Sequence, residues 1–322
     1  MGSFFKSLFS GGSSNEAPEE EKAKNDKKNF DIFKYDGVRA QKMGQVDYAI
    51  RCYREALKLE EDFETLSYLV NAYILKNELD EALPVADRMV ALEPAHIPAL
   101  LTRANLYFMQ ENYPSVSDDC GRILEIAPET HAAYFLRAKA RKAVSAWLEA
   151  IADLTKAVAV KDDYAEAYLL RGEVLLEMGQ LEEALQDVEK VISLSPEEES
   201  AFLLQGKIYE ANGRTEEAKA AYQSVLHLNP FNEQAYLQLG QLYIRSGELD
   251  QAIAFFDEAL EIKADFAQAY NERGRAKYLK GDKKGAAEDM KKALELDPQG
   301  ETAKKLEGQL NNFGDMYKGG IY

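Results

Sequence analysis

Cysteine, histidine and tryptophan are scarce in this chain, whose 322 residues include 2, 3 and 1 of them respectively. The two cysteines, Cys52 and Cys120, form no C-x-x-C motif and no cluster with histidine, so neither a disulfide framework nor a zinc site is predicted. A free cysteine usually behaves as a small buried hydrophobe, and we expect this of both thiols, in a reducing compartment. No metal and no other cofactor is expected.

Catalytic motifs are absent as well. The sequence contains no G-x-S-x-G, no phosphate-binding loop, no glycine-rich dinucleotide turn and no H-E-x-x-H. Each of these motifs places reactive groups at a fixed spacing, so their absence favours a protein that is not an enzyme. An enzyme whose site uses none of these motifs remains an alternative.

Positive charge is in deficit. The chain has 39 lysine and arginine residues against 56 aspartate and glutamate residues, which gives a formal net charge of −17 at pH 7. Nucleic-acid binding depends on basic side chains that neutralise phosphates, so this composition argues against a nucleic-acid partner. A neutral or basic protein or peptide is the partner that the charge favours.

Long apolar runs are also missing. No stretch approaches the roughly 20 apolar residues that span a bilayer, and the N-terminus lacks a signal-peptide pattern, so a cytoplasmic location is predicted. Four residues, Phe4, Phe5, Leu8 and Phe9, form a short apolar segment that is a candidate contact with a membrane surface or a partner. A membrane-associated adaptor, peripheral at the membrane and tethered through this segment, is therefore a second alternative. A tail that is flexible or docks on the protein itself is the other interpretation.

The strongest pattern in the sequence is a repeat of residue types every 34 positions. Glycine recurs at this step as Gly172, Gly206, Gly240 and Gly274, and again as Gly179, Gly213, Gly247 and Gly281. Fixed periods of roughly 20 to 50 residues are typical of solenoids. Within one unit, Tyr236, Leu239, Gly240 and Tyr243 occupy one helix face, and a turn glycine and a second helical stripe follow. Each unit is predicted to be a helical hairpin in which the first glycine allows close helix packing, since glycine otherwise costs a helix about 1 kcal/mol.

The period also predicts the domain organisation. Eight units fill residues 30–300 and begin near residues 30, 63, 97, 131, 165, 199, 233 and 267. Residues 1–29 are predicted to be a flexible N-terminal segment, in which a disordered linker over residues 11–29 follows the apolar stretch. An apolar stripe over residues 301–313 suits a C-terminal capping helix, and residues 314–322 are predicted to be a loose tail.

The motif order within a unit resembles the tetratricopeptide repeat family. The unit that begins at residue 233 carries it as Tyr236, Gly240, Tyr243, Gly247, Ala252, Phe256 and Ala259. The resemblance implies about eight tandem repeats in an all-α fold, a right-handed superhelical α-solenoid of antiparallel helix pairs. It also implies that first helices line a concave groove that binds peptides. The repeats that begin at residues 97 and 131 depart from the motif, because Ala104 and Ala138 replace the first glycine.

The candidate binding residues are non-core positions of the first helices in the second, third and fourth repeats. They are Ser67, Asn71, Leu75, Leu101, Asn105, Phe108, Met109, Phe135 and Lys139. Amide side chains pair with both the N–H and the C=O of an extended peptide, and exposed apolar side chains mark interaction sites. We therefore predict a non-catalytic scaffold that binds a peptide or protein segment in the concave groove.

Two alternatives to this groove remain open. The same side chains are also compatible with packing inside the array, or with a groove that one of the chain's own tails covers. The carboxylate clamp of chaperone-binding members of the family is not predicted. Lys34 matches that clamp, but Val38 stands where the clamp needs asparagine.

Overall fold

A computed structural model describes residues 16–298 of the chain, with side chains from residue 20 onward. Within these residues the chain forms sixteen helices and no strand, which confirms the all-α prediction. The helices are α1 (Glu16–Lys42), α2 (Val46–Leu59), α3 (Phe63–Leu75), α4 (Leu79–Leu92), α5 (Ile97–Met109), α6 (Tyr113–Ile126), α7 (His131–Ala143), α8 (Trp147–Val160), α9 (Ala165–Glu177), α10 (Leu181–Leu194), α11 (Glu199–Ala211), α12 (Thr215–Leu228), α13 (Glu233–Arg245), α14 (Leu249–Ile262), α15 (Ala267–Lys280) and α16 (Lys283–Leu296).

The helices pack in consecutive pairs. The chain divides into two compact units, of which the first ends at Val160 with α8 and the second begins at Lys161, ahead of α9. Within each unit an odd-numbered helix pairs with the even-numbered helix that follows it. The odd-numbered helices from α3 onward begin at residues 63, 97, 131, 165, 199, 233 and 267. We refer below to the first and second helix of each pair.

A left-handed residue makes the tight turn inside every pair. These residues are Gly44, Asn77, Glu111, Ser145, Gly179, Gly213, Gly247 and Gly281. The five glycines adopt φ values of 72–97°, and the three other residues adopt 58–59°. Glycine suits this conformation because it has no Cβ to meet the following carbonyl oxygen. Asparagine tolerates it better than glutamate or serine, so the turns at Glu111 and Ser145 are strained relative to the others.

Matched side-chain sizes set the spacing between the two helices of a pair. A glycine of the first helix meets the residue sixteen positions later in the second helix, as in Gly37–Tyr53, Gly172–Val188, Gly206–Tyr222, Gly240–Phe256 and Gly274–Met290. The equivalent positions of the other three repeats hold Val70 and Ala86, Ala104 and Cys120, and Ala138 and Leu154. A Cβ added at Gly37 would lie 2.5 Å from the ring of Tyr53, and one at Gly206 or Gly240 would overlap the partner ring. The predicted close packing is therefore confirmed at these glycines.

Both cysteines are buried, as the sequence predicted. Cys120 is 0 % exposed and belongs to the apolar core of the first unit. Burial raises the pKa of its thiol to about 12, so the side chain is a neutral hydrophobe at physiological pH.

The predicted linker over residues 11–29 is wrong from residue 16 onward, because α1 begins at Glu16 and continues without a break into the first repeat. Residues 20–28 are glutamate, lysine, alanine, asparagine and aspartate, a composition that describes a disordered chain and an exposed helix equally well. Three features stabilise the helix here. Glutamate, lysine and alanine have high helix propensity, Glu20 and Lys24 are spaced i, i+4, and the Lys27 Nζ lies 2.8 Å from a carboxylate oxygen of Glu60.

Candidate functional site: one face of α3, α5 and α7

The nine candidate residues lie at equivalent positions on three first helices of the first unit. Helices α3, α5 and α7 each have 13 residues. One equivalent position holds Ser67, Leu101 and Phe135, the next holds Asn71, Asn105 and Lys139, and the last holds Leu75, Met109 and Ala143. Phe108 lies one residue before the last position of its helix. We call the surface formed by the nine candidates the α3–α5–α7 face.

Two helices present the same amide and apolar pair, one turn apart. On α3 the pair is Asn71 and Leu75, and on α5 it is Asn105 and Met109. Both asparagines are exposed, while Leu75 and Met109 are 66 % and 46 % exposed. Because residues four apart share a helix face, each pair offers one hydrogen-bonding group next to one apolar group. Asn105 donates one N–H to the Leu101 carbonyl at 2.8 Å, and its amide has a second N–H and an acceptor oxygen.

Lys139 continues the line of asparagines on α7, and it lies over two aromatic rings. Its Nζ is 4.5 Å from the ring centroid of Phe108 and 5.9 Å from that of Phe135. Phe108 also meets Tyr113 edge to face, with centroids 5.7 Å apart. A cation over an aromatic face is attracted by the ring quadrupole, so these contacts hold Lys139 in place and connect α5 with α7. We call Phe108, Phe135 and Lys139 the Lys139 cluster.

Packing explains part of the candidate set. Leu101 and Phe108 are half-buried and pack against the core of the first unit. Ser67, Phe135 and Lys139 are half-buried as well. The side chains that present most of their surface outward are therefore the two asparagines with Leu75 and Met109.

Lys34, the one residue that matches a carboxylate clamp, is engaged by the chain's own acids. Its side chain is only 10 % exposed, and its Nζ lies 2.9 Å from Asp62 and 2.6 Å from Glu64. Burial opposes its charge, but the hydrogen bonds to Glu64 and Asp62 raise the pKa of Lys34 above its usual value. Asp62 also caps α3 by accepting from the Thr65 N–H at 2.8 Å, so this ion pair stabilises the start of that helix.

Sequence reasoning missed a second set of residues that recurs at the 34-residue step, namely buried ion pairs inside the repeats. The pairs are Arg103–Asp119, Arg137–Asp153, Arg171–Asp187 and Arg273–Asp289. Each guanidinium donates two hydrogen bonds of 2.6–2.8 Å to its aspartate, and the four aspartates are 2–4 % exposed. The signal was present in the sequence. Arginine and aspartate recur together at the 34-residue step, and they are lost together at Gln205 with Ala221 and at Leu239 with Phe255.

Two further sequence predictions concern membranes and metals. Phe4, Phe5, Leu8 and Phe9 lie outside the described residues. Between residues 16 and 298, none of the helices has the length and apolar character needed to cross a bilayer. Over the same residues, histidine, cysteine and carboxylate side chains do not gather in groups of three that would suit a metal ion.

Comparison with known families gives one consistent match. Models described as tetratricopeptide repeat match residues 37–97, 165–198, 203–265 and 267–299, which together are more than half of the chain. Residues 98–164, which hold most of the α3–α5–α7 face, lie outside these stretches. No curated protein matches the chain.

Solved structures share the fold at low identity. A tetratricopeptide repeat protein from Parabacteroides merdae is 18% identical over 87% of this chain and 97% of that one, with a TM-score of 0.51. A structure of pilF from Pseudomonas aeruginosa is 20% identical over 66% and 97%, with a TM-score of 0.53. The APC/C hetero-tetramer Cut9–Hcn1 is 14% identical over 82% and 52%, also with a TM-score of 0.53. At these identities the likeness concerns the fold alone.

Proposed function

Because this chain belongs to the tetratricopeptide repeat family, we propose that its α3–α5–α7 face binds an extended peptide or protein segment. Members of the family are protein-interaction scaffolds and are usually non-catalytic. The observation that carries the proposal is the repeated pair of an exposed asparagine and an exposed apolar side chain on α3 and α5.

The asparagine and the apolar side chain of each pair suit different parts of a bound peptide, the first its main chain and the second its apolar side chains. Asparagine offers two donors and one acceptor, so Asn71 and Asn105 are able to bond peptide N–H and C=O groups alike. Leu75 and Met109 leave apolar surface in water, and covering it releases roughly 25 cal/mol per Å². Methionine also adapts its shape to different partners. The charge of −17 favours a segment that is neutral or basic overall.

A selection with displayed random peptides against the full chain tests this proposal. The affinity of the best peptide is then measured by fluorescence anisotropy for the parent chain and for the variant Asn71→Ala, Asn105→Ala. We expect roughly thirtyfold weaker binding, since the loss of a net hydrogen bond costs about 1 kcal/mol at each of the two sites. Phe108 is left intact because it packs against the core.

The matched control is Lys207→Ala, which changes the equivalent position on α11 in the second unit. It should leave the affinity unchanged. Undiminished binding to the double asparagine variant, with an unaltered circular dichroism spectrum, would place the peptide elsewhere on the molecule.

A further inference from the structure

Helix α7 has a local charge opposite to that of the whole chain. It carries Arg137, Lys139, Arg141 and Lys142 and no acidic residue, although the net charge of the protein is −17. Helix α5 also lacks acidic residues and carries Arg103. The only acidic residue in α3 is Glu64, which pairs with Lys34 and accepts the Tyr68 hydroxyl hydrogen bond. The three first helices that form the α3–α5–α7 face therefore carry more basic than acidic residues, although the whole protein is acidic.

The three arginines of α5 and α7 already bind carboxylates. Arg103 pairs with Asp119 at 2.6 Å and with Asp87 at 2.8 Å. Arg137 and Arg141 both bind Asp153, at 2.7 and 2.5 Å. Their charges are therefore largely neutralised inside the fold.

Lys139 differs from these arginines. It contacts the rings of Phe108 and Phe135, and among the described residues no carboxylate pairs with it. The side chain is half-buried, so the ammonium is partly shielded from water on the side of the rings. A charge that is partly removed from water interacts more strongly with an incoming carboxylate than an exposed one does. Its place after Asn71 and Asn105 puts it at the end of the line of amides.

We infer that this face recognises a segment that carries one acidic side chain between apolar residues, and that Lys139 binds the acidic group. The inference rests on the proposed function. It agrees with a segment that is neutral or basic overall, because the field of the whole chain is screened beyond a Debye length of about 8 Å at physiological salt, whereas a contact pair is not. One acidic group is therefore able to pair with Lys139 with little repulsion from the net negative charge of the protein.

Three immobilised pools of 12-residue peptides test the inference. Each pool fixes Glu, Gln or Lys at the centre between two leucines, and the outer positions vary among Gly, Ser, Ala and Gln. Labelled full chain is applied as the parent and as the variants Lys139→Gln, Lys139→Arg, Asn105→Ala and Lys207→Gln. Synthetic peptides of residues 1–15 and 308–322 are immobilised beside the pools.

The parent chain should bind the Glu pool about five- to tenfold more tightly than the Gln pool. Lys139→Gln should remove this preference and Lys139→Arg should keep it. Lys207→Gln, at the equivalent position on α11, should change nothing. The preference should weaken as salt is raised from 50 to 500 mM.

Other results overturn one proposal or both. Equal binding of the Glu and Gln pools, with both weakened by Asn105→Ala, overturns the acidic preference and leaves the binding face intact. Binding to no pool, or binding that Asn105→Ala does not weaken, overturns the face itself. If a peptide from either terminus binds more tightly than every pool and depends on Lys139, the occupant is the chain's own tail rather than a separate partner.

Discussion

The tightest contact between paired helices predicts the effect of one methyl group. At Gly240, an added Cβ would lie closer than 3.0 Å to three ring carbons of Phe256, a separation that real Cβ atoms essentially never show. Phe256 is 0 % exposed, so its ring is held inside the core. Overpacking of this kind typically costs about 1–3 kcal/mol. Alanine gains about 1 kcal/mol over glycine in helix propensity, so Gly240→Ala should lower the free energy of unfolding by a net amount of up to about 2 kcal/mol.

A second substitution tests whether the ring is the cause. Another repeat of this chain accommodates alanine opposite leucine, at Ala138 and Leu154, and both are fully buried. Phe256→Leu alone should cost about 1 kcal/mol through lost apolar burial. Combined with Gly240→Ala it should remove the overlap, so the double variant should be more stable than the sum of the two losses by about 1–2 kcal/mol.

Urea denaturation followed by far-ultraviolet circular dichroism measures these differences. Trp147 is the single tryptophan of the chain and lies in the first unit. Its fluorescence therefore reports the unfolding of that unit and serves as an internal reference. The matched control is Gly172→Ala, where the nearest atom to an added Cβ, the Leu204 Cδ2, is 3.3 Å away. This control should be neutral or gain up to about 1 kcal/mol. If Gly240→Ala is as stable as Gly172→Ala, or if the double variant shows no coupling, steric matching does not set the helix spacing.

Two further predictions concern the turn and the buried ion pairs. Glu111→Gly should raise the free energy of unfolding by about 1 kcal/mol, because glutamate is held at φ 59°; a lower urea midpoint would contradict this. Arg171→Gln should cost about 3 kcal/mol, because it leaves the buried carboxylate of Asp187 without its guanidinium. Adding Asp187→Ala should recover part of that loss, and a double variant less stable than the single one would show that the charge is not the cause.

The fold was predictable because its packing repeats. A helix pair that contacts its neighbours in the same way each time requires the same residue sizes at the same step, so the requirement is visible in one sequence. Gly206 and Gly240 face large rings and must be glycine. Gly213 and Gly247 must adopt a left-handed conformation at the turn. Each constraint acts within one repeat, which is why the period indicated a repeat architecture and the helical spacing inside one unit indicated a hairpin.

Features that depend on a partner residue were harder to predict. A recurring glycine is recognised from a single position of the repeat. The Arg171–Asp187 pair is recognised only when two positions are compared across repeats. The helical start of α1 was missed for a different reason. Residues 20–28 have no apolar stripe, so their composition does not distinguish an exposed helix from a disordered linker, and the helix depends on the packed residues that follow.

The polar positions on the α3–α5–α7 face differ from the core positions in what constrains them. Core positions change in compensating pairs, as Gly240–Phe256 and Ala138–Leu154 do, because one neighbour must fill the space that the other leaves. Asn71, Asn105 and Lys139 are under no such constraint, since the two asparagines are exposed and the lysine meets rings rather than a charged partner among the described residues. The two exposed amides therefore contribute little to the core, whereas Lys139 also connects α5 with α7 through its two rings. We propose a ligand for this line of two amides that ends in a cation, and the three peptide pools ask which chemistry that ligand has.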